Sequence, residues 1–126
     1  MEGYSAKVVF ISKEIPAKDK IKLKDTSNAI SLDAATAESP VIITPDFYAE
    51  LEVHNEHSQD RDYKKYIVVD KEGNKFVTGS ESFITAFRDI ASDMATEAPG
   101  EEYSVEVYRK PSQNYKGKEF ITCSLV

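Results

Sequence analysis

The 126-residue chain has one cysteine, two histidines and five glycines, and no apolar run that approaches the roughly 18–20 residues of a membrane-spanning helix. Each scarcity removes a class of function. Cys123 alone makes no intrachain disulfide, and two histidines with one cysteine assemble no four-ligand zinc pattern, so no metal site is expected. Glycine forms no phosphate-cradling loop, and neither a nucleophile elbow nor an HExxH pair is present. No catalytic residue and no cofactor is therefore expected, and nothing supports an enzyme. The opening MEGYSAKVVFISKEI lacks the basic start and long apolar stretch of a signal peptide, so a cytoplasmic protein that avoids membranes is expected. Positive charge is also short: 16 Lys and Arg stand against 22 Asp and Glu, a formal net charge of −6. A nucleic-acid partner ordinarily selects a basic surface, so this balance counts against one until the distribution of charge is considered.

What is present is mostly short runs of strand type. Hydrophobic residues make up 40% of the chain, enough for one modest core, and a single domain over 1–126 is expected. Val8, Val9, Phe10 and Ile11 follow one another within Tyr4–Ser12, which reads as a central strand with two apolar faces. Lys18, Lys20, Lys22 and Lys24 alternate with Asp19, Ile21 and Leu23, the period-2 pattern of a strand with one solvated side. DAATAESP, between Ala29–Leu32 and Val41–Ile43, reads as extended or turn. After Pro45, a strand with Phe47, Ala49, Leu51 and Val53 pointing inward is preferred to a helix starting at that proline. A polar loop over 54–62 follows, then Tyr63–Val69 and Lys75–Thr78 as a hairpin joined by Asp70–Asn74.

One amphipathic helix stands out. Phe83, Ile84, Phe87, Ile90, Ala91 and Met94 form a stripe of helical period, preceded by Thr78 with Glu81 at capping-box spacing, or by Ser80 as cap, and followed by Pro99-Gly100. Two closing strands, Tyr103–Tyr108 and Glu119–Leu125, come last. Strands, a late helix and two final strands suit a mainly β, OB-fold-like β-barrel, although other small α+β folds share that order.

The closing hairpin carries the most chemistry. Val105, Val107, Ile121 and Cys123 share a core face, leaving Tyr108, Phe120 and Thr122 on the other, with Tyr108 beside Phe120 if those two positions pair. Single-strand binders without sequence preference need flat aromatic rings for bases and cations for phosphates. Arg109, Lys110, Lys116 and Lys118 supply cations, Tyr115 adds a ring, and from Tyr103 to Val126 four basic residues face two acidic ones. The same features also serve sheet stability and solubility. Lys20, Lys22 and Lys24 in the lysine row, and Tyr63-Lys64-Lys65-Tyr66, are further candidate contacts; charged strands also prevent aggregation, and either tyrosine suits a core. His54 and His57, among Glu50, Glu52, Glu56, Asp60 and Asp62, match no defined metal spacing and read as a solvated acidic loop. Cys123 reads as a small core residue.

The stretches VTGSESFITAFRDIASDM and EEYSVEVYRKPSQNYKGKEFITCSLV resemble the small OB-type single-stranded DNA-binding proteins of tailed phages and prophages of Gram-positive bacteria, over about half of the chain from Tyr63 onward. SQNYKGKEFITCSLV, with Lys116-Gly117-Lys118 ahead of an aromatic and an alternating strand, is the most specific piece. The resemblance implies a protein that coats single-stranded DNA in replication or recombination, in the host cytoplasm. Arg109, Lys110, Tyr115, Lys116 and Lys118 would be its contacts, with Tyr108 and Phe120 stacking. Cellular single-strand binders end in an acidic recruiting tail, whereas this sequence ends in FITCSLV, so a recruiting tail is not expected, while replication or recombination proteins stand as candidate partners beside single-stranded DNA. A homo-oligomer is compatible with the small site of one OB domain. The alternative from another class is a protein-interaction module, of phage or mobile-element origin, acting through its acidic surface.

Overall fold

The computed structural model describes residues 3–57, 59, 61–113 and 116–126, and is mainly β. The chain divides into two compact units, each built from two separate segments. The first takes the chain up to Ile30 and Asp46–Gly79; the second takes Ser31–Pro45 and Ser80–Val126.

In the first unit, β1 (Tyr4–Ile11), β4 (Pro45–Asn55), β5 (Asp62–Asp70) and β6 (Lys75–Thr78) join with the two-residue β2 (Ile30–Ser31) in a sheet of order β1-β4-β5-β6-β2. Alternation along β4 buries Ala49, Leu51 and Val53 and half-buries Phe47, as its sequence pattern requires. These meet Ile67 and Val69 of β5, and Leu23, in one core. On the reverse face Tyr66 and Val68 of β5 lie opposite Thr78 and Phe76 of β6, and all four are buried. The β5–β6 hairpin matches the sequence reading. Its turn is held by Asp70, whose Oδ1 accepts from the N–H groups of Glu72 and Asn74, while Gly73 takes a positive φ of 89° that a side chain would oppose.

Three features of this unit depart from the sequence reading. β1 is an edge strand, not a central one. Its four consecutive apolar residues reflect a bulge: register shifts between Val8 and Phe10, so Val8 and Ile11 pack on the core while Val9 and Phe10 stay exposed. The second departure is the lysine row. Ala17–Lys22 is a helix, α1, entered through Pro16, with Asp19 in its first turn and Lys20 and Lys22 in its last, which suits the helix dipole. The turn delivers Leu23, 2% exposed, into the core. Finally, the sheet does not close into a barrel.

The second unit has β3 (Val41–Ile43), β7 (Val105–Pro111) and β8 (Glu119–Leu125) in the antiparallel order β3-β7-β8, again an open sheet. α3 (Glu81–Glu97) is the helix expected from the apolar stripe. Of the two candidate caps Ser80 is the one used, its hydroxyl accepting from the Phe83 N–H at 3.2 Å, because Thr78 is buried in β6. Phe83, Ile84 and Phe87 of α3 are buried, as are Ile43, Val105, Val107, Ile121 and Cys123 of the sheet; the Phe83 and Phe87 rings stack at 5.7 Å. DAATAESP, expected to be extended or turn, is mostly helix. α2 (Leu32–Glu38) starts at Ser31, whose hydroxyl accepts from the Ala34 N–H, and it buries Leu32 and Thr36 one turn apart. Two short helices thus join the single expected one. No helix is long and apolar enough to cross a membrane among the described residues.

Between β4 and β5, His54 Nδ1 lies 2.8 Å from Asp62 Oδ1, and this hydrogen bond, aided by Glu56, raises the imidazole pKa above its ordinary value near 6.5. The pairing therefore supports the hairpin fully below about pH 6.5 and is lost as pH rises through the raised pKa. An NMR titration of the His54 ring should show that raised midpoint, and Asp62→Asn should lower it.

Candidate nucleic-acid interface

The second unit presents one covered and one open sheet face. Val105, Val107 and Arg109 alternate toward the face where Ile121 and Cys123 are buried, and Ile42, Glu106, Tyr108 and Lys110 toward the other. Register fixes what meets on the open face. Glu106 stands between Ile42 and Ser124, Tyr108 opposes Thr122, and Lys110 opposes Phe120. The direct pairing of positions 108 and 120 considered from sequence is thus replaced by a two-residue offset, because β7 runs on to Pro111, opposite Glu119. Tyr108 and Phe120 are diagonal neighbours, about 7–8 Å apart in such a sheet. Both are half-exposed, and the Tyr108 hydroxyl lies 2.8 Å from Ser124 Oγ, which orients the ring. Ile42, 56% exposed, adds an apolar contact that sequence reading missed, since a three-residue apolar strand gives no sign of which residue faces out.

At the turn end, Lys110, Lys118 and Phe120 line one open hollow of about 550 Å³ together with Ser112 and Ser82. The Ser112 N–H donates to the Lys118 carbonyl at 2.9 Å, and Gly117 adopts a φ of 83°, so the strand ends are held while exposed Lys116 and Lys118 project from the turn. Tyr115 lies outside the described residues. Arg109 does not join the open face. Its guanidinium reaches α2, donating through Nη2 to the Asp33 carbonyl and through Nε to Thr36 Oγ1 at 3.3 Å, and Thr36 Oγ1 itself donates to the Leu32 carbonyl. Arg109 therefore ties helix to strand.

The candidates in the first unit are mostly engaged. Tyr66 is 2% exposed, which leaves no ring face for a base. Tyr63 is half-buried against the core, with Lys65 Nζ 6.0 Å from its ring centroid, and Lys64 pairs with Glu50 at 3.7 Å. Lys20, Lys22 and Lys24 are exposed, but the helical turn removes the single-file row, placing Lys18 and Lys22 on one side and Lys20 on the other. The Lys22 carbonyl at the end of α1 accepts from Lys75 Nζ at 2.9 Å. Phe10 and Tyr48 form an exposed-side aromatic pair at 5.4 Å that the sequence reading did not single out. No group of three or more His, Cys, Asp or Glu is placed to hold a metal among the described residues.

Cys123 is the small core residue its alternation suggested, and burial pushes its thiol up to about 11. A thiol-specific chromogenic reagent at neutral pH should label it slowly in the folded chain and rapidly in denaturant. Arg109→Ala should cost about 1.5–3 kcal/mol in urea unfolding, the range for hydrogen bonds made by a charged donor. It should change any ligand affinity of the open face far less than changes at Lys110 or Phe120. Comparison of the chain with protein-family models, with curated proteins and with solved structures gives no match.

Proposed function

We propose that this protein binds single-stranded DNA without sequence preference, coating or protecting single strands in phage or prophage replication or recombination, and that the open face of β7–β8 is its contact surface. One observation carries the reading: Phe120, Lys110 and Lys118 share one hollow on a sheet face where Tyr108 stands diagonal to Phe120. Rings supply stacking worth about 1–3 kcal/mol per base, and flanking ammonium groups neutralise phosphates. α3 reaches the hollow on this face only through Ser82, so a three-stranded sheet offers bases what the binding face of an OB-type barrel offers, without closure. In this reading Lys110, Lys116 and Lys118 are the phosphate contacts and Arg109 is not one, since its guanidinium is turned to α2 on the other face, where Nε and Nη2 donate to Thr36 and Asp33.

Fluorescence anisotropy with labelled oligo-dT tests this. Three phosphate contacts give a slope of about −2 in log affinity against log salt for a single strand. Tyr108→Ala or Phe120→Ala should weaken binding by about 5- to 150-fold, the equivalent of one lost stacking contact. Lys110→Glu with Lys118→Glu should weaken it further, with an unchanged circular dichroism spectrum. No anisotropy change at low salt with micromolar protein would remove the proposal, and equal affinity for duplex DNA would redirect it to a general DNA-coating role.

A further inference from the structure

The free edge of β1 offers a second surface, independent of the open face of β7–β8. β1 ends the five-stranded sheet and, among the described residues, pairs on one side only, with β4. Gly3 accepts the Glu56 N–H at 2.7 Å, so alternation turns the backbone groups of Ser5 and Lys7 toward β4 and those of Tyr4, Ala6 and Val8 toward the free edge. Beside this edge runs a trough made of two hollows that share Val8 and Lys20. One, of about 440 Å³, is lined by the end of β1 from Val8 to Ile11, by the segment that follows it, including Glu14 and Ile15, and by Lys20; the other, of about 210 Å³, lies between Lys7 of β1 and Ile21 and Lys24 near α1.

Two properties identify an occupant. The first is charge: Lys7, Lys20 and Lys24 are exposed and their ammonium groups have no ion-pair or hydrogen-bond partner among the described residues, in a chain whose net charge is −6. The second is apolar surface open to solvent, with Ile21 64% exposed and Val8, whose other side packs on the core, half-exposed along the same trough. A second copy of the chain fits poorly, because twofold pairing of two such edges would press the lysines of one copy against those of the other. An acidic strand meets them with opposite charge.

We infer that the β1 edge binds an extended acidic peptide segment of a partner protein, which adds as a sixth strand to the sheet. Its backbone pairs with the outward groups of Tyr4, Ala6 and Val8, its carboxylates approach Lys7, Lys20 and Lys24, and an apolar side chain settles between Val8 and Ile21. The bulge at Val8–Phe10 ends the pairing, so about five residues of the partner are held.

A labelled peptide of about eight alternating glutamates and valines, the length of an ordinary strand, is the probe, with its lysine–valine counterpart as control. Anisotropy should report micromolar binding of the acidic peptide and at least about tenfold weaker binding of the control. Lys20→Glu with Lys24→Glu should weaken the acidic peptide by at least about tenfold. Ala6→Pro removes one outward N–H at a position where an edge strand tolerates proline, and should abolish binding while circular dichroism stays unchanged. Hydrogen exchange on the unaltered chain gives the same answer without a substitution: the amides of Tyr4, Ala6 and Val8 should slow when peptide is added. Absence of binding, unchanged exchange at those amides, or equal affinity for the two peptides would overturn the inference. Displacement of the peptide by oligo-dT in the Tyr108→Ala, Phe120→Ala double variant would also overturn it, assigning the trough to nucleic acid instead.

Discussion

The second unit depends on one short pairing, Val41–Ile43 against Val105–Val107. Without it β7 and β8 would be an isolated hairpin, which is marginal in water, whereas a third strand and a helical cover make a stable layer. The pairing joins positions more than sixty residues apart in sequence, so the loop entropy it closes must be offset locally. Ile43 and Val105 do this by burial to 1% or less, and the Thr44 and Ser104 hydroxyls lie 2.7 Å apart just beyond the strand ends. Arg109 then fastens α2 to β7. Because these ties all lie on or beside the core face, the reverse face is free to carry Tyr108, Lys110 and Phe120.

How much of this is legible in the sequence follows from how local each signal is. The α3 helix and the β5–β6 and β7–β8 hairpins declare themselves through long periodic patterns, a serine cap and turn residues at fixed offsets, and all are present. α1 is different. In KDKIKLK the apolar residues Ile21 and Leu23 are two apart, and a helix of six residues is too short to display a stripe, so the alternating lysines outweigh the entry at Pro16. α2 buries only Leu32 and Thr36, and its one clear signal is the Ser31 cap. Closure of a sheet, and the edge position of β1, depend on long-range pairings that no local period encodes. The mainly β class is therefore readable, while the barrel is not.

The candidate contacts sort by the same logic. Alternation identifies the face of a strand, so Tyr108 and Phe120 are found correctly on the side opposite Val107 and Ile121, while Lys110, read as a loop cation, joins that face because β7 runs on to Pro111. It does not say which residues a helix will engage. Arg109 looked like a loop cation, yet it lies on the α2 side of β7, where two acceptors await it. Tyr66 shares a face with Thr78 and Phe76, and that face is buried, a fact set by tertiary packing. The lysines of α1 lose their single file for a geometric reason: two-residue spacing is one face of a strand but opposite sides of a helix.

The net charge of −6 acquires a local meaning from the open face itself. Glu106 stands in the first row of that face, between Ile42 and Ser124, while the ammonium groups are at the other end, where Lys110 opposes Phe120 and Lys118 leaves the turn. Glu106 and Lys110 are four residues apart on one strand, about 13 Å, which exceeds the screening length of about 10 Å at an ionic strength near 0.1 M, so the carboxylate disfavours phosphates at the β3 side of the sheet without cancelling the lysines at the turn. A polyanion crossing this surface is therefore confined to the strip from Tyr108 to the turn, two rings and three lysines long. Under the proposed function, acidity elsewhere in the chain would limit adhesion of nucleic acid outside that strip, and it leaves the basic trough beside β1 as the place where an anionic partner of another kind has something to gain.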